Sequence, residues 1–284
     1  GLFMIIGARS NPKTSTPKTS DDQTSNVTPD VTSQPVIFLD LDNTLFASSR
    51  RQPEEGVKAA ATYRDGRTSA WMNTAQASFF DWLNATATLI PCTGRSLDAT
   101  QRVLLPFHSW TICCFGGLVL TPDGQVSAEW ECAQRALFGE VTLGEISKTL
   151  SRLEEETRDW IETQGLKIRL SRVEAGVSGG YLCVKHQEIK TSQRAEVALS
   201  PISTRWREAL STLNQATQRS LQAEEGLPSG EVHSSPPNPL SSWTLHINGN
   251  NVTLMPPSLS KARAVSWLIE RVFSGRLILG AGDS

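Results

Sequence analysis

Two aspartates, Asp40 and Asp42, stand two residues apart directly after the apolar run Val36-Ile37-Phe38-Leu39. On an extended segment that spacing projects both side chains to one side. Neighbouring carboxylates can hold a divalent cation or divide nucleophilic and acid/base work between them. Equally, acidic residues can simply end a strand. A second polar cluster, Thr93-Gly94-Arg95-Ser96, follows the apolar stretch from Thr88 to Cys92. There a hydroxyl, a glycine that permits close approach and free backbone N–H groups suit an oxyanion such as phosphate, while Ser96 also suits a plain helix cap. Lys261 opens a helical stretch at the end where the macrodipole disfavours a cation, so either an anion offsets that cost or the side chain is merely solvated. Asp283 follows a third apolar run, Ile278 to Leu279, through Gly280-Ala281-Gly282.

Three strands running straight into polar residues need a common sheet to bring them together. In an open parallel sheet all three polar ends lie on the carboxyl edge, where ligands bind. The pattern predicts such a core: a buried strand at Val36 to Leu39, a helix over Ala70 to Ala85 with Trp71, Ala75, Phe79 and Trp82 or Leu83 on one face, and a strand from Thr88 to Cys92. A helix from Leu97 to Phe107 and a strand from Trp110 to Phe115 follow, then short strands around a Pro-Asp-Gly turn between Leu118 and Val126. The rhythm then changes. Helix Gly144 to Gly165, strands Lys167 to Glu174 and Tyr181 to Gln187, helix Ser203 to Leu221 and a hairpin around Gly249-Asn250 predict a small antiparallel sheet with helices on one face. A Pro/Ser/Gly-rich loop spans Ala223 to Ser242. The last segment returns to the first pattern with a helix from about Ser260 to Phe273 and a strand from Arg276 to Leu279. The expected class is therefore α/β: a Rossmann-like parallel-sheet core, residues 36–128 and 249–284, interrupted by an inserted α+β domain, residues 129–248.

The 284 residues carry 27 Lys plus Arg against 29 Asp plus Glu, a net charge of −2, and 38% apolar residues. That balance holds no single-sign excess that would point to nucleic-acid phosphate or an anionic membrane as the main partner, and it leaves room for a local basic patch. Five cysteines without a C-x-x-C pair argue against a disulfide framework or structural zinc and for a reducing, cytoplasmic compartment. Residues 1–35, nearly all Ser, Thr, Pro, Asp, Asn, Lys and Gln from Ala8 onward, read as a disordered tail. The apolar run Leu2 to Ile6 is too short for a signal h-region or a span.

Taken together, the motifs resemble the haloacid-dehalogenase-like (HAD) hydrolase superfamily. DLDNT (Asp40 to Thr44) is similar to its first motif, CTGRS with Thr93 to its second, Lys261 to its third, and GAGDS with Asp283 to the start of its acidic fourth. The likeness covers residues 36–120 and 249–284. The insert matches the position of the family's C2 cap (type IIB), and its order of elements resembles sucrose-phosphate and trehalose-phosphate phosphatases. The resemblance implies a phosphatase in which Asp40 attacks phosphorus and Asp42 protonates the leaving alcohol, then activates water. It implies Mg²⁺ held by Asp40, the Asp42 carbonyl and Asp283, and phosphoryl oxygens held by Thr93, Gly94 and Lys261. A small phosphorylated metabolite, a sugar phosphate by the cap's likeness, is the implied substrate. The family's fourth motif continues past the point where this chain stops, so a truncated C-terminus is expected, with the flank of the Arg276 to Leu279 strand left as an unpaired edge. A non-catalytic protein that keeps the fold and a phosphomutase of the same superfamily are the alternative readings.

Gly176-Val177-Ser178-Gly179-Gly180 matches the G-x-S-x-G elbow of serine hydrolases, but a strand rather than a helix is predicted after it. The four histidines are scattered without ligand spacing. Arg169, Arg172, Lys185, His186 and His246 beside Trp243 are the residues of the inserted domain expected to select a hydroxyl-rich ring.

Overall fold

The computed structural model describes residues 2–3, 34–48, 58–189, 192–224 and 242–282. The chain divides into two compact units, Gly1–Ser127 with Lys261–Ser284, and Ala128–Ser260.

In the first unit the elements are β1 (Leu2–Phe3), β2 (Val36–Leu39), β3 (Ala47–Ser48), β4 (Lys58–Thr62), β5 (Thr68–Met72), α1 (Thr74–Thr86), β6 (Thr88–Pro91), α2 (Leu97–Gln101), β7 (Thr111–Cys113) and β8 (Leu118–Leu120). The second unit supplies α3 (Ala128–Thr163), β9 (Ile168–Val173), β10 (Tyr181–His186), α4 (Ser192–Glu224), β11 (Thr244–Ile247) and β12 (Val252–Met255), after which α5 (Lys261–Arg271) and β13 (Ile278–Ala281) return to the first.

The expected parallel sheet is present. Its order is β1-β13-β2-β6, with β13, β2 and β6 parallel. All four residues of β2 are buried, as an uninterrupted apolar run requires when both faces of a sheet are covered. Arg276 fastens the amino ends of the strands by donating from Nε to the Gln34 carbonyl at 3.0 Å and from Nη2 to Thr88 Oγ1 at 2.8 Å. With the starts aligned, the carboxyl ends of β2, β6 and β13 come level. A parallel bridge between Cys92 and Ile112 ties β7 beside the end of β6. The core beneath is built from Leu39, Leu41, Leu45, Phe46, Met72, Phe80 and Leu89.

Several boundaries differ from the sequence expectation, each for a local reason. The helix expected from Ala70 starts at Thr74, because Asn73 and Gln76 form a reciprocal capping box. Trp71 therefore lies on β5, and the buried face of α1 is Phe80 and Leu83, with Phe79 and Trp82 exposed. The helix expected from Leu97 to Phe107 ends at Gln101; Leu104 N–H donates to the Ala60 carbonyl instead, and Pro106 disfavours helical backbone before it. Leu2–Phe3, part of the expected tail, pairs antiparallel with Gly280 and Ala281 at the carboxyl end of β13, just beyond the Arg276 to Leu279 stretch whose flank was expected to be an open edge. The tail from residue 4 to 33 lies outside the described residues.

The second unit is an antiparallel sheet, β11-β12-β10-β9. Ile168, Leu182, Val184, Val252 and Leu254 pack with Ile146, Leu150, Leu199, Ile202 and Trp206 of the two helices, so both helices cover one face. The unit runs to Ser260 rather than ending near residue 248, because β12 is paired on both sides, with β10 and with β11. Its first helix is longer than expected, beginning at Ala128 with a break at Gly139 (φ 73°). Its second begins at Ser192 and carries Pro201 inside it. The Gly176–Ser178 turn leads into β10, and Ser178 is fully buried, so the serine-hydrolase elbow is absent here. Most of the Ala223 to Ser242 loop, residues 225–241, lies outside the described residues.

Candidate functional site

Asp40 is the residue at which β2 leaves the sheet. Its N–H still donates to the Ala281 carbonyl at 2.9 Å, so its backbone is held by the neighbouring strand while its side chain is clear of the ladder. Oδ1 accepts from the Leu41 N–H at 2.9 Å and from Lys261 Nζ at 3.3 Å. Lys261 is the first residue of α5. The anion that offsets a cation at that helix end is thus the Asp40 carboxylate, supplied from 221 positions away in the chain. Gly282 passes so close that a methyl built on it would lie 3.4 Å from the Asp40 Cβ.

Asp42 has a different partner. Asn43 takes a left-handed conformation (φ 61°), which turns the chain away from the strand direction. The Asp42 carboxylate then meets Arg95: Nε donates to Oδ2 and Nη2 to Oδ1, both at 2.7 Å. This is the bidentate geometry in which a planar guanidinium matches a carboxylate. Arg95 is the fixed member of the pair, its side chain 18% exposed against 45% for Asp42 and its guanidinium 5.0 Å from the centre of the Phe46 ring.

Thr93 is buried at the end of β6. Its N–H donates to the Ile112 carbonyl at 2.9 Å, and its Oγ1 accepts from the Arg95 N–H at 3.1 Å, which leaves the hydroxyl proton for another acceptor. Ser96 caps α2 through Ala99 N–H at 3.2 Å, so its role is the helix cap. A side chain on Gly94 would force the Phe115 ring to move, since a Cβ there would meet it at 2.4 to 2.9 Å. Between these strands Cys92 lies buried, and burial pushes its thiol up to about 12, with the Lys261 charge opposing and the Asp40 charge reinforcing. It is an inert wall of the site at neutral pH.

The described residues therefore bring together Asp40 and Lys261, and separately Asp42 and Arg95, above strands whose ends are level. Asp283 lies outside the described residues. Among the described residues no group of three or more His, Cys, Asp or Glu side chains could hold a metal ion. The donor set nonetheless suits Mg²⁺ in kind: the Asp40 carboxylate is a hard oxygen donor, and Asp42, its carboxylate committed to Arg95, offers its backbone carbonyl. Arg95 and Phe115 are not among the residues that type and spacing assign a chemical role. A charged residue just after a strand-end glycine was the available signal for the first, and nothing local marks the second.

No protein-family model matches the chain, and no curated protein matches it. Among solved structures it is similar to a trehalose-6-phosphate phosphatase related protein (TM-score 0.41, 16% identity, covering 83% of this chain and 73% of that one). It is also similar to the sucrose-phosphatase of Synechocystis sp. in complex with sucrose and phosphate (TM-score 0.38, 13% identity, 85% and 71%). A third is the N-terminally truncated, IMP-bound IMP-nucleotidase of Plasmodium falciparum (TM-score 0.43, 10% identity, 84% and 56%). Identities this low leave the question of function to the residues themselves. No helix among the described residues is long and apolar enough to cross a membrane.

Proposed function

We propose that the chain is a Mg²⁺-dependent phosphoric monoester hydrolase of the HAD-like type, acting on a small phosphorylated metabolite through an aspartyl-phosphate. The observation that supports this best is the Asp40–Lys261 contact at 3.3 Å. It sets a carboxylate and a cation side by side at a sheet edge, next to a hydroxyl and a glycine loop suited to phosphoryl oxygens.

In this reading an oxygen of Asp40 attacks phosphorus, the bond from phosphorus to the ester oxygen breaks, and Asp42 gives its proton to that departing ester oxygen, which leaves as the alcohol. Asp42 then takes a proton from water as the water oxygen attacks the aspartyl-phosphate, releasing inorganic phosphate and restoring Asp40. The Thr93 hydroxyl, the Gly94 N–H and Lys261 bind the phosphoryl oxygens as charge builds on them. A Mg²⁺ held by the Asp40 carboxylate and the Asp42 carbonyl, with Asp283 as a further ligand by resemblance, would supply positive charge against those oxygens. Proton transfer at Asp42 requires that it give up at least one hydrogen bond to Arg95, since both of its oxygens are engaged. A sugar phosphate is the substrate class that the resemblance favours.

The test is release of inorganic phosphate from a generic aryl phosphate and from a panel of sugar phosphates, with Mg²⁺ and with excess EDTA. Asp40→Asn should lose turnover and acid-stable phosphorylation of the protein together. Wild-type turnover by Asp40→Asn would refute the nucleophile, and an undiminished rate in EDTA would refute the metal.

A further inference from the structure

Phe115 has no part in that chemistry, yet it is one of the few described non-glycine residues with a left-handed backbone. In the turn from β7 to β8, Cys114 (φ 52°), Phe115 (φ 55°) and Gly116 (φ 88°) are consecutive left-handed residues. Glycine and asparagine enter that region readily, whereas a bulky side chain is a genuine outlier there. The turn's backbone has a clear use. Cys114 N–H donates to the Arg95 carbonyl at 2.8 Å and Phe115 N–H to the Thr93 carbonyl at 3.2 Å, which props the Thr93 to Arg95 loop from behind. Those bonds need only main-chain atoms, so they do not account for an aromatic ring.

The ring has a definite position. Its tip lies on Gly94, with Cζ, Cε1 and Cε2 at 2.4, 2.5 and 2.9 Å from where a Cβ on that residue would stand. Phe115 is only partly buried, while Cys113, Cys114 and Gly116 on either side are buried. A ring sent to fill the core would follow its neighbours inward. This one is held against the glycine of the oxyanion loop and keeps part of its surface outside. Strain that persists beside a site is evidence for a role in that site.

We propose that Phe115 is a specificity residue: its ring forms an apolar platform next to the phosphoryl position, against which the flat apolar face of a leaving group lies. The face can be an aryl ring or the C–H side of a sugar ring, the chemistry being the same. The inference rests on reading Thr93 and Gly94 as the phosphoryl loop, and it does not depend on turnover.

Binding of phenylphosphonate and methylphosphonate, neither of which is hydrolysed, tests it by titration calorimetry on the full chain and on Phe115→Asn. Asparagine accepts the left-handed backbone, so the melting temperature should not fall; Phe115→Gly repeats the experiment should asparagine disturb the turn. The wild-type chain should bind phenylphosphonate about tenfold more tightly than methylphosphonate, and Phe115→Asn should abolish that preference while leaving methylphosphonate unchanged. A preference that survives the substitution, or an equal loss for both compounds, overturns the proposal; the second result would mean that the ring merely supports the loop. Failure of the wild-type chain to bind either compound overturns the phosphoryl-loop reading and this inference with it. A Phe115-dependent preference in a chain that hydrolyses no ester would leave the inference standing and refute the phosphatase reading alone. Competition by glucose 6-phosphate, measured in both chains, separates a sugar face from an aryl one: weakening by Phe115→Asn assigns the platform to the sugar.

Discussion

Arg95 decides what Asp42 can do. A carboxylate 45% exposed would ordinarily sample many orientations, but two bonds of 2.7 Å to a guanidinium that is itself packed on Phe46 leave it one. Removing the guanidinium should cost orientation rather than substrate affinity. Arg95→Met is expected to lower kcat by about ten- to a hundredfold, part of the ~10²–10⁴ that a positioned acid/base contributes, with KM little changed. Arg95→Lys should rescue little, since a point charge cannot make both bonds. Steady-state kinetics on the generic aryl phosphate decide it, and an unchanged kcat in both variants would mean that the pair does not position Asp42. Gly94 carries the second residue-scale prediction. Gly94→Ala drives a methyl into the Phe115 ring, an overpacking expected to cost about 1–3 kcal/mol in urea unfolding. Phe115→Ala in the same chain should recover most of that loss. Strictly additive effects in the four chains of the cycle would contradict the contact.

Among the elements, α4 contains the clearest local conflict. Pro201 has no N–H to give to the Val197 carbonyl, and the Ser200 hydroxyl supplies one instead, at 2.7 Å. The substitute bond keeps the helix continuous from Ser192 to Glu224, where proline would otherwise mark a boundary. It does not remove the ring's steric cost. Pro201→Ala is therefore expected to stabilise the protein by about 1–2 kcal/mol, the ~3 kcal/mol helix penalty less the entropy that proline removes from the unfolded chain. Equilibrium urea unfolding is the measurement; a destabilised variant would show that the helix needs proline's geometry there.

Two units of different construction make up the whole molecule. The segment Ala128–Ser260 is continuous and owns a core around Leu150, Leu182, Val184, Leu199, Ile202 and Trp206. It should fold when expressed alone, with helical circular dichroism and a sigmoidal urea transition; a featureless drift would contradict that independence. The first unit is assembled from two separated stretches, and its β13 lies between β1 and β2. Residues 1–127 alone lack that strand and α5, and are expected to show no cooperative unfolding.

What was legible in the sequence is what short-range chemistry specifies. The apolar run Val36–Leu39 read as a strand covered on both faces, the Gly249-Asn250 pair marked the β11/β12 hairpin, and polar residues at strand ends marked Asp40 and Thr93 as site candidates. The exact starts of α1 and the end of α2 were less legible, because a capping box at Asn73 and the pull of Ala60 on Leu104 compete with helical periodicity. Tertiary structure alone decided the partnerships. Periodicity carries no information about which cation reaches which carboxylate, so Lys261 on Asp40 and Arg95 on Asp42 emerge only when level strands and the start of α5 meet. For the same reason the ring of Phe115 on Gly94 was invisible: its cause is a left-handed turn and a contact between loops 21 residues apart in sequence.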